Sequence, residues 1–173
     1  MKTIKNNTGY HFPSNLEDNL DINSRIFGKQ TIDPETIINF PNGIPGFESQ
    51  TRFKLFHQEG NPIIYWLQSL DDENLTFSVA HPSIFNINYN FVLTDAEEAL
   101  LQLESIEDVL ILILLHKDES DPASRHPTIK GSIKSPLIIN GSKRIGLQKI
   151  LARMEQSIIL TEARNEIDVT EGV

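Results

Sequence analysis

The stretch FPNGIPGF, from Phe40 to Phe47, places two prolines, two glycines and an asparagine between two phenylalanines. The triplet Pro-Asn-Gly at 41–43 suits the last three positions of a β-turn. The pair Pro-Gly at 45–46 suits the centre of a type II turn, where the glycine takes a positive φ. Prolines also restrict the unfolded chain, so an ordered turn costs less entropy here. We therefore predict a rigid double turn with both phenylalanines in the core, rather than a flexible linker.

Two further functions are possible for this loop. A phosphate-binding loop would need a helix N-terminus directly after it to hold the anion, and no helix signal follows Phe47. The exposed part of a rigid turn can still contact another protein. Asn42, Ile44 and Phe47 are the candidate residues for such a contact.

The rest of the chain consists mainly of short segments typical of strands, separated by turn signals. The segments with β-branched, aromatic or alternating apolar residues are 24–29, 35–40, 51–57, 63–70, 75–80, 128–140 and 144–152. Such a series predicts an antiparallel barrel or sandwich. The run VLILILL at 109–115 is apolar throughout, which predicts a central strand buried on both faces.

One segment, TDAEEALLQL at 94–103, predicts a short helix. Thr94 as N-cap and Glu97 three residues later form a capping box, because each side chain can bond an amide of the first turn. Ala96, Leu100 and Leu103 recur at spacings of four and three and form an apolar face. The predicted fold class is therefore mainly β: a small antiparallel barrel or sandwich with one helix.

The length of 173 residues suits one domain with a sizeable core. Residues 1–23 are polar and lack a period, so we predict a flexible N-terminal extension. The β domain is predicted to occupy 24–152. Residues 153–173 are predicted to form a polar C-terminal tail.

The negative charge is concentrated around the predicted helix. The chain has a net charge of −9, and the segment 94–122 carries nine acidic residues and one lysine, against 15 acidic and 14 basic residues elsewhere. An acidic surface repels nucleic acid and attracts basic proteins, although a solvated acidic face can also serve solubility alone. The candidate partner-binding residues are Glu97, Glu98, Glu104, Glu107 and Asp108.

No pattern of catalytic or cofactor-binding residues is present. The chain has no cysteine, no glycine-rich nucleotide signature, no zinc-protease motif and no nucleophile elbow, and its five histidines do not stand at metal-ligand spacing. We therefore predict no enzyme activity, no cofactor, no metal and no direct nucleic-acid binding. The longest apolar run has seven residues and no signal peptide is visible, so we expect a cytoplasmic protein that does not enter the membrane.

Four ordered stretches resemble the flagellar assembly factor FliW family. FPNGIPGFESQTRFKLF (40–56) resembles its N-terminal signature, and HPSIFNINYNFVLTDAE (81–97) resembles the segment that leads into its helix. EDVLILILLHKDE (107–119) resembles its acidic-then-apolar strand, and SPLIIN (135–140) its late strand. The resemblance covers roughly residues 27–151.

The resemblance implies a β-barrel protein without enzyme activity that binds two partners. One is flagellin; the other is the RNA-binding translational repressor CsrA, whose repression of flagellin mRNA the family relieves. Free flagellin would occupy the protein and so restore repression. Two alternatives stay open: a chaperone for an exported flagellar subunit without CsrA regulation, and a small β-barrel enzyme whose site assembles from distant residues.

Overall fold

A computed structural model describes residues 19–57, 60, 63–117, 128–151 and 158–161. The strands are β1 (Leu20–Ser24), β2 (Gly28–Ile32), β3 (Ile37–Asn39), β4 (Arg52–His57), β5 (Ile64–Ser69), β6 (Thr76–Ala80), β7 (Val109–Lys117), β8 (Thr128–Gly131), β9 (Leu137–Asn140), β10 (Ile145–Gln148) and β11 (Ile158–Thr161). The helix α1 (Asp95–Leu101) lies between β6 and β7. The mainly β fold with one short helix is thus confirmed.

Seven strands close into a barrel. Their order is β3, β4, β5, β6, β7, β9 and β10, and β10 returns to pair with β3. All of these pairs are antiparallel except β3–β10, which is parallel. The long strand β7 pairs with β9 through its first half and with β8 through its last three residues, and β11 pairs with β8. Closure removes open sheet edges from the barrel.

A hairpin of β1 and β2 precedes the barrel, and its strands pair from Leu20↔Ile32 to Ser24↔Gly28. The predicted strand at 24–29 is wrong, because residues 25–27 form the turn of this hairpin. The hairpin docks on the barrel through Ser24, whose hydroxyl donates to the buried Gln68 side chain at 2.6 Å. Residues 20–23, assigned to the N-terminal extension, belong to β1, whereas 1–18 lie outside the described residues. Of the predicted tail, only 158–161 are described.

The core has two parts on opposite faces of β7. Leu112 belongs to the larger cluster inside the barrel, which also holds Phe40, Phe53 and Leu67. Ile113 belongs to a smaller cluster outside it, against which Tyr89 packs. The prediction that this strand is buried on both faces is confirmed. The outer cluster determines where the segment before α1 crosses the sheet.

The loop after β3 forms the predicted double turn. The amide of Gly43 donates to the carbonyl of Phe40 at 2.8 Å, and the amide of Phe47 donates to that of Ile44 at 2.6 Å. Gly46 has φ +88°, as the second central residue of a type II turn requires. Phe40 is fully buried, as predicted. The prediction for Phe47 is wrong: this residue is 40% exposed, and its ring lies edge-on to Phe77.

Candidate protein-binding groove

An apolar groove of about 460 Å³ lies on the barrel surface beside α1. Its floor comes from β7 and β9, and its walls come from the segment before α1 and the turn after it. The residues that line it are Tyr89, Asn90, Phe91, Val92, Leu93, Glu98, Leu103, Glu104, Ser105, Ile106, Val109, Ile111 and Ile138. Val92 is 84% exposed and Ile106 is 80% exposed at the rim. Two such exposed apolar side chains at one groove are typical of a protein contact surface.

Helix α1 is capped at its N-terminal end and bonded to the barrel at its C-terminal end. The predicted capping box is confirmed: the Glu97 amide donates to Thr94 Oγ1, and the Thr94 amide donates to Glu97 Oε2. At the C-terminal end, the buried Asn140 amide group donates to the carbonyl of Leu101 at 2.9 Å. Leu101 is itself fully buried. Seven residues are too few for a stable isolated helix, so these contacts keep α1 in place beside the groove.

The segment of residues 88–93 crosses the outside of the sheet and forms one wall of the groove. The Tyr89 hydroxyl donates to the carbonyl of Ile133 at 2.7 Å, and burial raises the pKa of Tyr89 to about 12. The Phe91 ring lies 6.0 Å from the Tyr89 ring and 5.8 Å from the Lys149 ammonium. Side chains therefore anchor this segment to the barrel.

Glu97 and Lys149 join α1 to the end of β10. Lys149 Nζ lies 2.6 Å from Glu97 Oε2, and both side chains are mostly shielded from solvent. Partial burial acts to raise the pKa of Glu97, but the hydrogen bonds from Lys149 and Thr94 and the Lys149 charge outweigh it. The pKa of Glu97 therefore lies below its ordinary value. This carboxylate serves the structure first and is not available as a simple surface charge.

The other predicted acidic residues surround the groove in different environments. Glu104 lies 2.7 Å from Lys143 in an exposed ion pair, which raises the pKa of that lysine. Asp108 accepts a hydrogen bond from the Ser142 hydroxyl. Among the described residues, no hydrogen bond or ion pair engages the carboxylates of Glu98 and Glu107, and both side chains are exposed. Residues 118–122 of the acidic segment lie outside the described residues.

The predicted loop residues lie apart from this acidic surface. Asn42 is exposed, Phe47 is partly exposed, and Ile44 is 1% exposed within the barrel core. Within the described ranges, no hydrogen bond, ion pair or contact between aromatic rings joins Asn42, Ile44 or Phe47 to residues 94–108. A partner on this loop would contact Asn42 and Phe47, because the Ile44 side chain is covered.

Sequence reasoning missed the apolar residues of the groove. Val92 and Ile106 stand outside every periodic segment. Val92 is the middle of a run of only three apolar residues, and Ile106 stands between Ser105 and Glu107. Their importance follows from the fold, which brings both to the rim of one groove. A single Ile or a three-residue apolar run in a loop is a weak signal, because scattered exposed apolar residues are ordinary in soluble proteins.

No group of three or more metal-ligating side chains lies together in the described part of the chain. Within the same residues, no helix is long and apolar enough to cross a membrane. Every described buried side-chain nitrogen or oxygen has a hydrogen-bond partner. The groove is the candidate binding site that the described residues offer.

Comparison with known proteins agrees with this architecture. The family described as FliW protein matches residues 21–160. The flagellar assembly factor FliW of Azoarcus sp. (strain BH72) is 37% identical over 144 residues, which are 83% of this chain and 99% of that protein. The flagellar assembly factor FliW of Chromobacterium violaceum is 41% identical over 131 residues, which are 73% of this chain and 89% of that protein. A crystal structure of the flagellar assembly factor FliW superposes with a TM-score of 0.69 at 26% identity, over 85% of this chain and 99% of that one.

The fold defines a small closed β-barrel domain that carries an apolar groove with acidic residues beside it. The barrel strands, helix α1 and the double turn all lie within residues 21–160, which match the family. The chain belongs to the FliW family of flagellar assembly factors.

Proposed function

We propose that this protein is a cytoplasmic, non-enzymatic regulator of flagellum assembly that binds flagellin and a CsrA-type RNA-binding repressor. Flagellin would occupy the groove, and the repressor would contact the acidic surface beside α1. Because free flagellin would occupy the protein, the flagellin level would control how much of it remains to oppose the repressor. The observation that carries the proposal is the groove itself, which exposed Val92 and Ile106 line together with the exposed Glu98.

Flagellin suits the groove because an amphipathic helix can lay its apolar face into an apolar channel. The floor residues Val109, Ile111 and Ile138 lie on strands of the closed barrel, so they form a fixed surface. Binding such a helix would cover Val92 and Ile106 and remove apolar area from water. Preformed walls limit the ordering cost of binding.

A repressor that binds RNA must carry a basic surface, because it has to hold phosphates. The carboxylates of Glu98 and Glu107 are exposed next to the groove and would steer such a protein towards it. If binding of this protein lowers the affinity of the repressor for RNA, then by linkage RNA lowers the affinity of the repressor for this protein by the same factor.

The proposal is tested by titrating purified flagellin into the full chain and into a Val92→Ser, Ile106→Ser variant. We expect the affinity of the variant to fall at least about tenfold, or about 1.4 kcal/mol. Its melting temperature should stay unchanged, because both side chains are exposed. The matched control is Ile26→Ser, at an apolar residue that is 56% exposed in the β1–β2 turn. Equal affinities for all three proteins would overturn the assignment of the groove.

Pull-down of CsrA and flagellin by the full chain separates the alternatives. Recovery of flagellin without CsrA would favour a chaperone for an exported subunit. Recovery of neither protein would contradict the proposal.

A further inference from the structure

The 88–93 segment is extended, but it pairs with no described strand. Its odd-numbered side chains, Tyr89, Phe91 and Leu93, are half-buried, whereas its even-numbered side chains are exposed. This alternation is the period of a β-strand. None of its backbone amides or carbonyls makes a hydrogen bond to another described residue. The segment therefore lines the groove with the free edge of a strand, and such an edge is a template for an added strand.

The edge is held in place before any ligand binds. The Tyr89 hydroxyl donates to the carbonyl of Ile133 at 2.7 Å, and the Phe91 ring lies 5.8 Å from the Lys149 ammonium. At its C-terminal end the segment continues into Thr94, the N-cap of α1. A ligand that pairs with a fixed edge does not have to order it, so little of the binding free energy is lost to ordering.

The unpaired backbone selects an extended ligand. A segment that covers the groove removes water from the edge beside it, and the amides and carbonyls there then need other hydrogen-bond partners. A helix can use only the apolar surface of the groove, because its own backbone groups are bonded to one another. An extended chain can bond the edge as well, because its amides and carbonyls recur at the same spacing as those of the 88–93 segment.

The side chains of the ligand must match the groove floor. In an added strand, side chains alternate between the floor and the solvent side. The floor comes from Val109, Ile111 and Ile138, so every second side chain of the ligand should be apolar. The side chains between them point away from the floor and are free to carry charge.

The charge around the groove favours a basic ligand. Residues 94–108 carry six carboxylates and no lysine or arginine. Two of these carboxylates are in ion pairs with Lys143 and Lys149. The other four make no ion pair with a described residue: Asp95, Glu98, Glu107 and Asp108. Glu98 lines the groove, so it would attract lysine or arginine on a bound strand, whereas a second copy of this acidic chain would be repelled.

We propose that the 88–93 segment binds an extended segment of another protein by strand addition, and that this ligand alternates apolar residues with lysine or arginine. The apolar side chains cover the groove floor, and the basic side chains lie near Glu98 and the other unpaired carboxylates. A strand and a helix require the same floor, so a partner of either kind excludes the other. The inference stands apart from the proposed function, because it requires neither flagellin nor the repressor.

A heptapeptide in which lysine and valine alternate, with both ends blocked, is the probe. Titration calorimetry against the full chain at low salt measures its affinity. The matched control is the same sequence with ester linkages in place of the backbone amides, which keeps shape and charge but removes the donors. We expect the ester peptide to bind at least about tenfold more weakly, because several hydrogen bonds to the edge are lost.

A matched pair of variants tests the acidic residues. Glu98→Gln with Glu107→Gln should weaken binding of the amide peptide at least about threefold at low salt. Glu35→Gln with Glu73→Gln makes the same change in net charge at exposed positions elsewhere and should leave the affinity unchanged. Equal weakening by the two variants would overturn the choice of a basic ligand for this edge.

Amide hydrogen exchange shows where the peptide binds. Bound peptide should slow exchange in the 88–93 segment at least about tenfold and leave residues 109–115 of β7 unchanged. Equal affinities for the amide and ester peptides, or protection confined to other residues, would overturn the inference. So would protection that appears without peptide and grows with protein concentration, because it would assign the edge to a second copy of the chain. If flagellin failed to bind while the peptide bound with these controls, the proposed function would be refuted and strand addition would stand.

Discussion

The ring of Phe40 packs directly against the backbone of Gly146. A Cβ at residue 146 would lie 2.7 Å from Cζ of that ring, well inside contact distance. Phe40 begins the double turn, and Gly146 lies in β10, the strand that closes the barrel on β3. Because Gly146 has no side chain, the Phe40 ring of the loop can pack directly on the backbone of the strand that closes the barrel.

Gly146→Ala should therefore destabilise the protein by about 1–3 kcal/mol, because the added methyl group must displace a fully buried ring. The matched control is Gly141→Ala, where the nearest atom to the new Cβ is the Asp108 carbonyl at 3.5 Å. Urea unfolding followed by Trp66 fluorescence measures both. Similar free energies of unfolding for the two variants would contradict this packing.

The two glycines of the double turn should respond unequally to alanine. Gly46 has a positive φ with open space around it, so Gly46→Ala should cost about 1–2 kcal/mol for the left-handed backbone alone. Gly43 also has a positive φ, but its Cβ would lie 2.5 Å from Cα of Glu48. Gly43→Ala should therefore lower the melting temperature further than Gly46→Ala. The reverse order would show that crowding at Gly43 is relieved cheaply.

The two lysine–glutamate pairs near α1 should contribute unequally to the stability of the fold, because their burial differs. Lys149→Gln removes a shielded pair and should cost about 1–2 kcal/mol at neutral pH, between surface and buried ion pairs. Lys143→Gln removes a pair whose side chains are 40% and 75% exposed, and should change stability by no more than about 0.5 kcal/mol. Chemical denaturation of both variants at low and high salt checks the difference. A larger loss from Lys143→Gln would count against the role of Lys149.

The Glu97–Lys149 pair should make the free energy of unfolding depend on pH. In the folded state the pKa of Glu97 lies below its ordinary value of 4.5. The ionised Glu97 therefore stabilises the fold above that value, and this stabilisation is lost as the pH falls through the folded pKa. The free energy of unfolding should drop more steeply from about pH 5 to about pH 3 in the unmodified chain than in Lys149→Gln. Parallel pH profiles for the two proteins would mean that Lys149 does not set the pKa of Glu97.

Charge reversal beside the groove should slow association with a basic repressor. Glu98→Lys with Glu107→Lys changes two exposed carboxylates without touching the Glu97 pair, and should lower the on-rate about tenfold at low salt. Glu35→Lys with Glu73→Lys makes the same change in net charge at exposed positions elsewhere. Stopped-flow measurements at several salt concentrations compare them. Equal on-rates for both variants would show that only net charge matters.

Local chemistry explains why so much of the fold could be predicted. The capping box at Thr94 and Glu97, the turns on either side of Ile44 and the apolar run of β7 each depend on residues within one short segment. Propensity and periodicity act over the same range, so they identify such elements directly. The burial of Phe47 could not be predicted in this way, because turn chemistry determines the path of the backbone and not which distant residues pack on the side chain at its end.

The candidate site could be predicted only in part. The carboxylates from Glu97 to Asp108 stand close in sequence, so their shared surface follows from charge counting. Lys149 lies 52 residues from Glu97 in the sequence, and no local pattern predicts that the two side chains form an ion pair. Val92 and Ile106 likewise become neighbours of one groove only after α1 and the 88–93 segment have packed.

The sequence by itself determined the β-rich class, the rigid double turn, the capped helix and the acidic region, because each is encoded by contiguous residues. Tertiary structure alone decided the parallel pairing of β3 with β10, the closure of β7 on β9 and the apolar groove that these strands carry. These features depend on which distant strands become neighbours. That choice is made by burying Phe40, Leu112 and Leu137 together in one core, and no short stretch of sequence contains it.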